Sequence, residues 1–439
     1  HVPVSTNTYG RFVDYDGRKW APHLDFIAFD SYPQYHAREH DLDTAVETAF
    51  TCDYYRGLKD GRPFLLLETT PSSTNWMPVE KLKRPGVHRL TALQHIGHGA
   101  ESVMYFQWRA GRGGCEQYHG AVMTHSDRSD TRVFGEVAEV GAMLEQFDPL
   151  LGATVPAEVA LVYDDEVDWG IELAHGPRGS KRDYVPTCLA HYRPFWQQGI
   201  PVDVLNQDAA LDSYKLVIAP MLYLLRPGTA ARIEAFVRAG GTFVTTYWSG
   251  IVDETMRCFQ GGFPGPLREL LGVWAEELDV LYDDETVRVQ PAADNDLGLT
   301  QAYDAHIFCD QVHAETASVL ATYADQFYAG RPALTVNRAG DGRAFYVASR
   351  NRPPFHSHFY QTLIAELGLH RALDADLPPG VTVQPRTDGQ RTFLAVLNFG
   401  LEPAAVKLDG TVLEDLVTGE TVLGTLTLPP HDGRMLERH

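Results

Sequence analysis

Four short apolar segments, at residues 2–7, 26–30, 64–68 and 103–108, alternate with helical patterns through the first 150 residues. Runs this short, bounded by proline, glycine and polar residues, read as buried strands. Strands separated by helices pair in parallel, because each helix carries the chain back to the end where the previous strand began. The last helical pattern sets Val133, Val137, Val140, Leu144, Phe147 and Leu151 at spacings of four and three, one apolar face for a sheet. A closed (β/α)8 barrel takes eight such units, and four strands are counted here.

The run Phe64-Leu65-Leu66-Leu67 follows Pro63 and ends in Glu68, and the polar loop Thr69-Thr70-Pro71-Ser72-Ser73-Thr74-Asn75-Trp76 comes next. Parallel sheets and barrels place their chemistry at the carboxyl ends of strands. A carboxylate there, facing a loop with an aromatic ring, is a candidate catalytic group. A lone glutamate otherwise caps the loop or pairs with a neighbour. Asp30 ends the preceding strand and reads as a structural carboxylate that ties loops together.

The bulk numbers set limits on function. A length of 439 residues exceeds one ordinary core and predicts two or three domains. A formal net charge of −21 argues against nucleic acid or an anionic membrane surface as partner and suits a neutral substrate. No apolar run approaches the ~20 residues that span a bilayer, and no charged-then-apolar signal opens the sequence. Cys52, Cys115, Cys188, Cys258 and Cys309 are widely spaced, with no C-x-x-C pair. That pattern predicts free thiols, a reducing (cytoplasmic) compartment and no zinc site. His36 and His40, four residues apart, are expected on a solvated loop and not at a metal.

Residues 156 to about 372 start a second βα series, with strands expected at 159–163, 202–205, 216–219 and 242–246. A helix over 228–238, stopped by Gly240-Gly241, fits an open, flavodoxin-like sheet. After Thr246 comes Tyr247-Trp248-Ser249-Gly250, which offers no cysteine for an amidase elbow. From about residue 378 short alternating runs at 392–399, 405–408 and 421–428, with Gly and Pro turns between them, predict a small antiparallel β domain.

Several segments carry a family resemblance. The stretch from Pro63 to Trp76, with Lys81-Leu82-Lys83-Arg84-Pro85-Gly86 after it, resembles the nucleophile segment of the family 42 glycoside hydrolases, the β-galactosidases. Leu24 to Pro33 and Ser102 to Arg109 resemble the barrel strands on either side, and Cys115 to Ala121 the loop that closes the sugar pocket. Thr246 to Glu254 and Gly261 to Pro266 resemble the family's second domain. The resemblance implies the last four strands of a TIM barrel at 1–152, a glutamine-amidotransferase-like α/β trimerisation domain at 153–374 and an antiparallel β domain at 375–439. It also implies a homotrimer that acts on β-galactosides without cofactor or metal.

By the same resemblance Glu68 is the nucleophile of retaining hydrolysis, and Tyr32, Trp76, Trp108, Glu116 and His119 bind substrate. Tyr32 is placed to hydrogen-bond the nucleophile or the sugar ring. Trp76 offers a ring face and an indole N–H. Glu116 and His119 are placed to take hydroxyls, and Trp108 is expected either at the pocket floor or in the core. Arg109 and Arg112 are expected to pair with loop acids. The family's acid/base, a glutamate after an asparagine at the end of the fourth strand, is expected to precede His1, and neither Asp30 nor Glu116 takes its place. The alternative is a non-catalytic piece that serves oligomerisation or complements a chain carrying the other half-barrel.

Overall fold

The computed structural model describes residues 2–10, 15–35 and 41–439, so His1, His36 and His40 lie outside the described residues. Two compact units result: one built from residues 1–156, 195–203 and 371–439, the other from 157–194 and 204–370.

The first unit holds a parallel sheet of β1 (Thr8–Tyr9), β2 (Ala28–Asp30), β3 (Phe64–Glu68) and β4 (Ala100–Val103), in that order. Helices α1 (Gly17–Trp20), α2 (Asp41–Gly57), α3 (Val87–Gly97) and α4 (Arg132–Leu144) intervene or follow. The Thr131 side chain accepts the Phe134 N–H and so fixes where α4 begins. Phe29 of β2 stacks on Tyr55 of α2 with ring centroids 4.2 Å apart, and α2 is buried over much of its circumference. At its end Arg56 pairs with Asp53 and Asp203 and donates to His98 O at 2.8 Å, so a buried charge is paired.

Three local expectations shift. The first strand forms at Thr8–Tyr9, because Val2 and Val4 are exposed while Thr8 and Tyr9 align with Phe29 and Asp30. The fourth strand ends at Val103, and beyond it the chain follows the loop after β3 through Thr69 N–H to Met104 O and Phe106 N–H to Thr69 O. The α4 face buries Val133, Val140 and Met143, but Leu151 is exposed. A 3-10 turn over Asp148–Leu150 breaks the helical register before Leu151 is reached.

The carboxyl-terminal part of this unit is antiparallel. Its sheet contains Val381–Thr387, Thr392–Asn398 and Asp432–Arg438, with Leu413–Asp415 and Thr421–Val422 at the edge. Val383, Leu394, Val396, Leu413, Leu426 and Leu436 fill its core. Helix α3 lies so close to this sheet that a Cβ on Gly97 would sit 2.7 Å from that of Ala395. The buried Arg386 guanidinium donates to the carbonyls of Ala153, Ile96 and Ala100.

In the second unit Val159–Val162, Leu216–Ala219, Thr242–Thr246 and Gly342–Val347 form adjacent parallel strands. The helix expected over 228–238 runs over Thr229–Arg238. The sheet does not stop at the parallel core. It continues antiparallel through Pro332–Ala339, Ser318–Tyr323, Val287–Pro291, Tyr303–Ala314 and Val273–Val280. That extension, absent from the flavodoxin-like expectation, has a period-2 signal: Val287, Val289 and Pro291 are buried while Arg288 and Gln290 are exposed.

Candidate active site

Glu68 closes β3, where the ladder aligns it with Asp30 of β2. The burial that makes the preceding leucines a strand therefore brings two carboxylates to the same sheet edge. Their environments differ. Glu68 Oε2 accepts the Tyr32 hydroxyl at 2.6 Å. Burial first, then this bond, pushes the Tyr32 phenol well above its ordinary range and keeps it a donor. Asp30 Oδ2 accepts from Asn7 Nδ2 at 2.9 Å, while its buried Oδ1 has no hydrogen-bond partner among the described residues. Burial, partly offset by the Asn7 bond and reinforced by the Glu68 charge, raises the Asp30 carboxyl to about 6.

Aromatic side chains ring the Glu68–Tyr32 pair. The Tyr32 ring meets Trp76 edge-on at 5.5 Å and His119 edge-on at 5.8 Å, and His119 also meets Phe106 at 5.1 Å. Trp76 is 56% exposed, so its ring is open to a ligand. His119 is buried, its Nδ1 3.0 Å from Asn75 Oδ1, and its Nε2 lacks a partner among the described residues. Burial lowers the His119 pKa, against the opposing pull of Glu116, of the Phe106 backbone, and of Glu80 and Glu68. The ring is therefore neutral near pH 7, and its orphaned nitrogen is a ready hydrogen-bonding atom for a hydroxyl.

Glu116 sits exposed in the same loop, with its carbonyl taking the His119 N–H at 3.0 Å. Trp108 stands apart. It lies five residues past the end of β4, is 62% exposed and has Phe134 of α4 as its ring neighbour at 6.3 Å. The ring is therefore not part of the core of this unit. Arg109 pairs with Asp127, as expected of a loop arginine.

Sequence reading missed the residues that hold the loops in place. Lys83, fully buried, donates its ammonium to Thr70 O at 2.6 Å, and burial lowers its pKa to about 7. Thr70 Oγ1 and the Gly120 N–H both donate to Ser73 O at 2.9 Å. Asn75 Nδ2 reaches across to Cys115 O at 2.7 Å. A side chain at Gly120 would meet Ser73 O and Thr70 Oγ1 at 2.8 Å, so only glycine permits this approach. The position of Lys83 beyond a Pro-containing loop gave no periodic signal. Among the described residues no group of three or more His, Cys, Asp or Glu side chains is gathered as a metal would need. No helix among them is long and apolar enough to cross a membrane.

Fold and site together put the chain among proteins built from parallel βα units that carry functional groups at the carboxyl ends of their strands. The chain belongs to glycoside hydrolase family 42. Residues 1–147 match the model described as beta-galactosidase, 157–370 the beta-galactosidase trimerisation domain and 380–438 the beta-galactosidase C-terminal domain. Beta-galactosidase Pbg of Clostridium perfringens is 46% identical over 100% of this chain. Beta-galactosidase BglY of Alicyclobacillus acidocaldarius is likewise 46% identical over 100% of it. The chain spans 64% of the length of each of these relatives. Among solved structures, the cold-adapted beta-galactosidase from Rahnella sp. R3 superposes with a TM-score of 0.96 at 49% identity, covering 100% of this chain and 64% of that one.

Proposed function

We propose that this chain is the carboxyl-terminal portion of a retaining β-galactosidase that removes terminal β-D-galactosyl groups through a glycosyl-enzyme intermediate. The observation that carries this reading is Glu68 at the carboxyl end of β3, hydrogen-bonded by Tyr32 and faced by an open tryptophan, within the region matched to beta-galactosidase. On this reading β1 to β4 are the last four strands of a TIM barrel. The domains run 1–152, 153–374 and 375–439, and the middle one assembles copies into a homotrimer. The five cysteines are free thiols, two of them exposed, which suits a reducing cytoplasm.

Retaining hydrolysis needs two carboxyl groups roughly 5–5.5 Å apart. Glu68 attacks the anomeric carbon as its bond to the aglycone oxygen breaks, and the leaving oxygen takes a proton from the acid/base. Water then displaces Glu68, with the same group drawing off its proton. Tyr32 holds Glu68 and stabilises its anionic form. Trp76 stacks on the sugar, and His119 and Glu116 bind hydroxyls at one end of the ring. Trp108, on its exposed loop, contacts the substrate from the rim. Asp30, bonded by Asn7 on the neighbouring strand side, is read as a structural carboxylate and not as the acid. The relatives extend beyond the matched region, and we assign the acid/base to that part.

The test is hydrolysis of nitrophenyl β-D-galactoside by the chain alone and by the chain with the upstream half-barrel of a relative supplied. No turnover alone and turnover on addition is the expected pair of results. Turnover by the chain alone at rates comparable to an intact relative would place the acid within these residues. Light scattering should return three chains per particle at micromolar concentration, and monomers would remove the trimer from the reading.

A further inference from the structure

In the unit of residues 157–194 and 204–370, a cavity of about 280 Å³ opens where the strand Thr242–Thr246 gives way to Tyr247 and Trp248. Trp248, Ile251, Phe263 and Leu278 supply apolar walls, and Asp310 lies on its lining. The volume suits a molecule with a single small ring, near the lower end of ligand pockets.

Asp310 is 4% exposed and holds the key geometry. Its Oδ2 accepts the Trp248 backbone N–H at 3.2 Å and the Tyr346 hydroxyl at 2.5 Å. Both bonds fall on Oδ2 and neither uses Oδ1, and the residue lies on the cavity lining. Trp248 is held in a left-handed conformation with φ 58°. For a side chain of this size that costs about 1–2 kcal/mol. Strain of this sort persists where the surroundings impose it, and here the bond to Asp310 does so, setting the indole against the cavity.

The charges on the lining select the ligand further. Its ionisable residues are Asp310, Glu276 and Glu277, all acidic. Glu276 is taken by His313 at 2.6 Å and by Arg331 at 3.5 Å, whereas Glu277 is exposed. The nearest basic residue in sequence, Arg178 beside Pro177, is turned to Asp283 and to Leu281 O. Aromatic walls over a carboxylate floor favour organic cations, through ring faces and a charge-assisted hydrogen bond.

We propose that this cavity is a binding site for a small organic ammonium compound, with its apolar body between Trp248 and Phe263 and its N–H groups on Asp310 Oδ1. The site needs nothing of Glu68 and stands apart from the hydrolase reading. Burial raises the Asp310 carboxyl to about 7, so the test is run at about pH 8, where the group is ionised.

Calorimetric titration of the full chain with benzylammonium, benzyl alcohol and benzoate decides the matter. Benzylammonium is expected to bind at least about tenfold more tightly than benzyl alcohol, and benzoate to give no heat. Asp310→Asn should erase the preference for the cation. Ala275→Leu, which narrows the cavity without touching the bonds of Asp310, should weaken binding of both ligands. The proposal is overturned if benzylammonium binds no better than benzyl alcohol, gives no heat at millimolar concentration, or binds Ala275→Leu undiminished. The first two outcomes use the unaltered chain, so a poorly folded variant does not shield the idea.

Discussion

Tyr32 donates its hydroxyl to Glu68 Oε2 at 2.6 Å, from two residues beyond the end of β2 to the last residue of β3. The bond joins neighbouring parallel strands at the edge where their side chains leave the sheet. It engages Oε2 of the carboxylate and fixes its orientation. In the assembled enzyme Tyr32→Phe is expected to lower kcat/KM by roughly 10- to 100-fold, the worth of one charge-assisted bond. Glu68→Gln should abolish turnover, and Glu68→Gly should regain it with azide, giving an α-galactosyl azide. Near-normal hydrolysis of nitrophenyl β-D-galactoside by Glu68→Gln would exclude Glu68 as nucleophile.

Gly120→Ala tests the joined loops. The new methyl would meet Ser73 O and Thr70 Oγ1 at 2.8 Å and Ser73 N at 2.9 Å. Backbone atoms cannot swing away, so the loop carrying His119 must shift relative to Asn75, at a cost of about 1–3 kcal/mol. KM for the galactoside should rise several-fold while the fold survives in near-ultraviolet circular dichroism. An unchanged KM would show that the close approach does not position the site.

Asp30 sets a pH dependence of stability. Its folded carboxyl lies near 6, whereas an unfolded aspartate titrates near ~3.9. Between those values the folded chain keeps a proton that the unfolded chain has released. The stabilisation is therefore complete below about pH 4 and is lost as pH rises through about 6. Asp30→Asn should flatten this slope in urea midpoints compared at about pH 5 and 7. A slope identical to that of the parent would place the proton elsewhere.

Arg386→Met should destabilise the first unit by about 3–5 kcal/mol, because it leaves buried carbonyls without donors. The guanidinium serves Ala153 O through two nitrogens, and Ile96 O and Ala100 O through the third. Burial lowers its pKa to about 10, still well above neutrality. Arg386→Lys should rescue little, since an ammonium has no rigid fork. Denaturant midpoints of the three chains give the answer, and a loss below about 1 kcal/mol would mean water replaces the arginine.

Much of the parallel architecture was legible because its signal is local. Phe64 to Leu67 between Pro63 and a polar loop fit only a short buried strand, and the structure places β3 there with Glu68 at its end. The strand expected at 103–108 was harder to bound, because its apolar run continues past Val103, the last residue of β4, while backbone bonds to Leu66 and Thr69 persist as far as Phe106. The antiparallel extension was harder to see. Tyr303–Ala314 is buried over a continuous central stretch, so it does not alternate clearly, and its partners precede and follow it in sequence. Lys83 was invisible for another reason: its task is a bond to a backbone oxygen thirteen residues away, which no side-chain pattern encodes.

The Ser73–Gly120 stitch has a consequence for anyone who would retarget this pocket. The loop bearing Trp76 and the loop bearing His119 share hydrogen bonds from Gly120 to Ser73 and from Asn75 to Cys115. Substitutions chosen one loop at a time will meet sign-changing epistasis, since a backbone shift tolerated by one loop breaks the other. Combinatorial libraries that diversify 70–76 and 115–120 together explore shapes that stepwise mutation cannot reach.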